Sequence, residues 1–238
     1  MIVYTNGCSH SDDHPWTERF DVNHKNSFSW PIKLMDNLSD NYKYIRNLNE
    51  LSDDKIRKFN LDDYVINDGV SGAGNDHIFH STLESLGILF NNNIKPDMVI
   101  IQWSGPSRRE HILPDGKGIV FVNPTENLEY HLKFEPMAST HSLHYMYTLQ
   151  ELLKSKGIKY FFFNYVPLDG NIKKLSIYKQ MDFKKFINFE DGKETIFNGL
   201  VNLIIDKKFN NDLMGHANPD GNRFISGKIL EKIKGKII

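Results

Sequence analysis

The sequence predicts an α/β protein. The expected form is a three-layer α/β/α sandwich around a flavodoxin-like, doubly wound parallel sheet of five strands in order 2-1-3-4-5, with a β-hairpin inserted. Three observations predict it. Short apolar runs alternate with helix-like segments, as expected of parallel strands joined by crossover helices. The clearest run, Met98-Val99-Ile100-Ile101, is continuously apolar, which suits a strand covered on both faces. Turn-forming residues such as Gly7 and Asp68-Gly69 sit where runs end.

The first strand is Ile2-Val3-Tyr4, ending at Gly7. A helix begins near Trp30-Pro31, because proline suits a first helical position, and continues through Ile32, Leu34, Met35 and Leu38. The second strand is Tyr64-Val65-Ile66. A helix follows from an Asn75 or Asp76 N-cap to Phe90, with Ile78, Phe79, Leu83, Leu86 and Leu89 as its apolar face. The third strand is Met98–Ile101. Residues 112–122 read as a hairpin: Ile112-Leu113, a Pro114-Asp115-Gly116 turn, then Ile119–Val122. A helix covers Ser139 to Lys156 and stops at Gly157. Ile158–Tyr165 is the fourth strand and Phe186–Phe189 a short fifth. The last helix starts near Asp220. Right-handed crossovers place the loops after the strands on one edge, where open α/β sheets bind ligands.

A chain of 238 residues is long for one domain and short for two, and it reads as a single domain over residues 1–238. Hydrophobic residues make up 39% and charged residues 25%, which is ordinary for a globular protein. A formal net charge of -1 supplies no field toward nucleic acid or an anionic membrane, and nucleic-acid-binding signatures are absent. The single cysteine, Cys8, excludes an internal disulfide and fits a reducing compartment. Met1-Ile2-Val3-Tyr4 runs into Thr5-Asn6-Gly7 without a basic leader or a long apolar run, and no stretch approaches the ~20 apolar residues of a membrane helix. The expectation is a soluble, cytoplasmic protein without nucleic-acid or membrane partners.

Three segments carry residues suited to chemistry. Gly7-Cys8-Ser9-His10-Ser11 follows the first strand, where backbone N–H groups of a turn can stabilise an oxyanion beside a serine. Gly69-Val70-Ser71-Gly72-Ala73-Gly74-Asn75 follows the second. Its glycines allow positive φ or close backbone approach, but it is neither Gly-x-Gly-x-x-Gly nor Gly-x-Ser-x-Gly. Asp212-Leu213-Met214-Gly215-His216-Ala217-Asn218-Pro219-Asp220-Gly221 precedes the last helix, offering an imidazole base and a carboxylate to orient it. Cys8 ranks below Ser9 as a nucleophile, since its side chain points the opposite way if strand geometry persists. His10, Asp12, Asp13 and His14, and the pair His77 and His80, match no known zinc spacing, so no metal is expected.

Together these blocks resemble the SGNH (GDSL-like) hydrolase superfamily, from Gly7 to Gly221. The resemblance implies Ser9 as nucleophile, His216 as base and Asp212 as its orienting acid, with the N–H groups of Ser9 and Gly72 in the oxyanion hole. Three departures mark a divergent subgroup. Cys8 stands where the family carries Asp before the serine. The Asp-x-x-His spacing is stretched by one residue. The third block, Gln102-Trp103-Ser104-Gly105-Pro106-Ser107-Arg108-Arg109-Glu110, lacks the family's asparagine. Such a donor is worth about 3 kcal/mol in the transition state. Asn75, Ser107 or an arginine could replace it, and Asn75 is favoured because its loop faces the same edge. Trp103 beside Ser107, Arg108 and Arg109 suits a sugar ring or an anionic group. The implied function is cofactor-free hydrolysis of a small carboxylic ester, with a carbohydrate O-acetylesterase as the specific expectation and acyl transfer as a variant. The rival is a non-catalytic glycan-binding or structural module on the same fold.

Overall fold

The structure, a computed structural model, describes residues 1–8, 29–48, 51–57, 59, 62–112, 119–122, 128–209 and 217–234. In chain order the elements are β1 (Ile2–Asn6), α1 (Trp30–Met35), β2 (Tyr42–Arg46), α2 (Asp53–Ile56), β3 (Asp63–Asn67), α3 (Asn75–Asn91), β4 (Met98–Trp103), β5 (Arg109–Ile112), β6 (Ile119–Val122), α4 (Leu128–Ser155) and β7 (Lys159–Asn164). Three short 3-10 helices follow, then α5 (Thr195–Asn198), α6 (Leu200–Asp206) and α7 (Pro219–Lys234).

Five strands form one parallel sheet in the spatial order β2-β3-β1-β4-β7. β1 is central and wholly buried, aligned Ile2↔Tyr64 with β3 and Val3↔Met98 with β4. Side chains alternate between two cores, as the period-two geometry of a strand requires. Tyr4, Ile66, Val99, Ile101 and Phe162 pack with Ile78 and Leu86 of α3 and Leu143 and Met146 of α4. Val3, Val65, Ile100, Phe161 and Phe163 pack with Trp30 and Leu34 of α1 and Ile225 and Ile229 of α7. The sheet is thus covered on both faces, which is why β1, β3, β4 and β7 carry apolar runs.

The expected order holds for the segments that predicted it: the strands at 64–66, 2–4, 98–101 and 158–165 lie side by side in that sequence. The segment Phe186–Phe189 does lie next to β7, but as a single bridge, Phe162↔Phe186, with Ile187 N donating to Phe162 O at 2.8 Å. The fifth full strand is β2, at the opposite edge. It was hidden because Tyr-Lys-Tyr-Ile-Arg is a half-exposed edge strand with charges interleaved.

The hairpin forms as a separate antiparallel pair, Arg109↔Val122 to Ile112↔Ile119, and its predicted turn lies outside the described residues. α1 closes at Met35, earlier than expected, and Leu38 packs from the following turn. α4 starts at Leu128 instead of Ser139. Its end is as expected: Gly157 has φ +59, its N–H reaches Lys154 O, and Ile158 N reaches Leu153 O, the paired bonds of a Schellman cap. Among the described residues no helix is long and apolar enough to cross a membrane.

Candidate active site

Four strands carry a buried polar residue at or next to their C-terminal end: Asn6 on β1, Asn67 on β3, Gln102 on β4 and Asn164 on β7. All four are fully buried, so each must find partners inside the protein or go without. The Asn6 carbonyl oxygen accepts the Gly7 N–H at 2.7 Å, which turns the chain directly before Cys8 and Ser9. Its amide nitrogen lies 2.9 Å from Ser81 Oγ and Thr82 Oγ1 of α3. Asn67 accepts the Gly69 N–H at 3.2 Å and donates to the Tyr44 hydroxyl at 3.1 Å. Polar residues that close apolar runs are the sequence signal for this layer.

Asp68 follows β3 and is buried. One carboxylate oxygen accepts the Leu48 N–H at 2.8 Å, and the other accepts the Tyr4 hydroxyl at 2.9 Å and the Ser85 hydroxyl. Burial raises its pKa, opposed by the donors Ser85, Leu48 and Tyr4 and by the charge of His77. Burial beside that carboxylate also pushes the Tyr4 phenol well above its ordinary value.

The loops after β1 and β3 are tied together. Val70 N donates to Gly7 O at 3.1 Å and Asp68 N to Thr5 O at 3.0 Å. Ala73 N donates to Val70 O at 3.1 Å, closing a turn in which Gly72 has φ +84. That conformation favours glycine. The Gly72 N–H meets no acceptor among the described residues.

Gly74 serves differently. Its φ is -85°, open to any residue, but a Cβ there would stand 2.4 Å from Arg108 O. Glycine lets the loop after β4 lie directly on the start of α3. Gly74→Ala is expected to displace that loop and cost about 1–3 kcal/mol, read as a lower melting temperature.

Asn75 is the first helical residue of α3, with Gly74 as the cap. Its carbonyl oxygen accepts Ser104 N at 2.7 Å, and its amide nitrogen donates to Ser104 O at 3.2 Å and Ser142 Oγ at 3.0 Å. Both amide protons are engaged inside the protein. In this arrangement Asn75 clamps α3, the β4 loop and α4, and has no proton to offer an oxyanion.

Trp103 corrects a further expectation. It is fully buried and packs edge-on against Phe162, with ring centroids 5.7 Å apart. It faces the same core as Val99 and Ile101, as strand alternation demands, and does not line a cleft. Among the described residues its indole N–H has no hydrogen-bond partner, nor has either amide atom of Asn164, its register neighbour on β7. Ser107 and Arg108 are half-buried, and Arg108 donates to Ser104 Oγ at 3.3 Å. Arg109 begins β5, and nothing of its side chain is described.

The fold therefore brings Gly72, Asn75, Ser107 and Arg108 to the edge where β1 delivers Cys8. Ser9, Asp212 and His216 lie outside the described residues. The loop carrying the last two has pinned ends: Asn218 N donates to Phe209 O at 2.7 Å. Asn218 then caps α7 by accepting the Gly221 N–H at 2.9 Å. Gly221 packs on Phe209, where a Cβ would meet its carbonyl oxygen at 2.5 Å. No group of three or more His, Cys, Asp or Glu able to hold a metal occurs among the described residues.

No family model and no curated protein matches the chain. Among the solved structures similar to it in fold are a lipase and an esterase. Lip_vut3, a lipase from a goat rumen metagenome, aligns with a TM-score of 0.51 at 12% identity, covering 100% of each chain. AlAXEase, an acetyl xylan esterase, aligns with a TM-score of 0.50 at 13% identity, covering 98% of this chain and 100% of that one. The chain is thus similar in fold, from end to end, to solved ester hydrolases, at identities that speak to fold alone.

Proposed function

We propose that the protein is an SGNH-type serine ester hydrolase. The observation that carries this reading is the join between the β1 and β3 loops. The Val70 N–H to Gly7 O bond joins the loop that carries Gly72, at φ +84, to the residue directly before Cys8. A backbone donor held next to a serine at the C-terminal edge of a parallel sheet is what acyl transfer requires. The likeness in fold to a lipase and an acetyl xylan esterase supports the same chemistry.

In this reading Ser9 Oγ attacks the ester carbonyl carbon while His216 takes its proton. Asp212 orients the imidazole, and the N–H groups of Ser9 and Gly72 hold the oxyanion. The tetrahedral intermediate expels the alcohol, which leaves with the proton from His216. Water then attacks the acyl-serine, again through His216, and releases the acid. The substrate proposed is a small acyl ester of a carbohydrate, with acetyl as the acyl group, and Ser107, Arg108 and Arg109 flank it.

The test is a panel of short-chain aryl esters and acetylated sugars given to the purified protein. Release of acid is expected, fastest for acetyl. A protein inert across the whole panel contradicts the reading and favours the non-catalytic glycan-binding module, a role consistent with an Asn75 amide engaged elsewhere.

A further inference from the structure

We infer that Gln102 is a positioning residue for Cys8, the residue directly before Ser9; the inference rests on the reading of Ser9 as nucleophile. Gln102 is fully buried near the end of β4. The β1–β4 register, Asn6↔Ile101, sets it level with Gly7, one residue short of Cys8. Its amide makes two contacts to two different elements. Trp30 Nε1–H, at the start of α1, donates to Gln102 Oε1 at 2.8 Å, and Gln102 Nε2–H donates to Cys8 Sγ at 3.4 Å.

The orientation of this amide is not arbitrary. An indole nitrogen is a donor only, so the oxygen of Gln102 must face Trp30 and its NH2 must face the sulfur, which accepts. Trp30 is itself immobilised: it is fully buried and packs edge-on to Phe163 at 5.5 Å. One side chain therefore references the residue preceding Ser9 to both the sheet and α1. Cys8 stands where the resembled family carries Asp, and its thiol, 1% exposed, is the acceptor that receives this clamp. Displacing a reacting group by 1 Å costs about 10²-fold in rate, so a fixed residue 8 matters to a nucleophile at residue 9.

Gln102→Met keeps the volume and removes both polar contacts, and Cys8→Ala removes only the sulfur. With an activated acetyl ester, each is expected to lower kcat by about 10–10²-fold with KM unchanged. Two further readouts do not depend on turnover. Cys8 is the only cysteine, so its reaction with a disulfide reagent in the native state should be about tenfold faster or more in Gln102→Met once the clamp is gone. The Trp30 indole N–H proton resonance should move upfield in the same variant. Both changes together with the fall in kcat support the clamp. An unchanged kcat, or a thiol as slow as in the wild type with Gln102→Met folded, overturns it. If the wild type hydrolyses nothing, the hydrolase reading fails by itself, and the thiol and indole readouts still decide whether Gln102 holds Cys8.

Discussion

Ser9→Ala is expected to lower ester turnover by at least about 10⁴-fold while the thermal melt stays where it was. The substitution removes one hydroxyl and with it the covalent route. His216→Ala should lose about as much, because a serine hydroxyl at neutral pH is a poor nucleophile without a base. Groups that act as a unit are not additive, so the double variant should be little worse than either single one. Asp212→Ala should cost less, since that carboxylate only orients the imidazole. The measurement is kcat/KM beside a melting curve for each variant. Equal turnover in wild type and Ser9→Ala, with equal melts, would assign the chemistry elsewhere.

The second large effect concerns stability. Asp68→Ala is expected to destabilise the protein by roughly 3–5 kcal/mol, because it orphans the Leu48 N–H and the Tyr4 and Ser85 hydroxyls at once in a buried place. That is a large share of the stability of an ordinary domain. Asp68→Asn keeps the acceptor for Leu48 and lets the two hydroxyls turn to accept from its NH2, so it should cost far less.

The pH dependence has a definite sign. Burial raises the folded-state pKa of Asp68 above its unfolded value, so the folded state favours the proton. The contribution is fully present below the unfolded carboxylate range, near pH 4, and is lost as pH rises through the folded pKa. Asn cannot ionise. The stability of wild type relative to Asp68→Asn should therefore fall as pH is raised from about 4 toward 7, measured by denaturant unfolding of both proteins. A relative stability that rises over that interval would mean that the three donors outweigh burial.

Much of this architecture was legible before the structure. The strands β1, β3, β4 and β7, their order, α3, α7 and the glycine cap of α4 follow from apolar periodicity and helix-end chemistry, both local properties. β2 was not, because an edge strand half open to solvent carries Lys43 and Arg46 in its run and loses the apolar signature. The early start of α4 was obscured by Pro136, which reads as a helix breaker but lies inside the helix. Trp103 could have been placed correctly, since counting by twos from Val99 puts it in the core. The role of Asn75 could not, because its partners, Ser104 and Ser142, are distant in sequence and only the folded chain brings them together. The same holds for the link from Gln102 to Cys8, across 94 positions.

The most direct measurement is covalent. A fluorophosphonate that mimics the tetrahedral intermediate should add once to the wild-type protein, and peptide mapping by mass spectrometry should place the adduct on Ser9. Labelling should vanish in Ser9→Ala and slow greatly in His216→Ala. An adduct on another residue, or none on a protein that hydrolyses esters, would contradict Ser9 as the nucleophile.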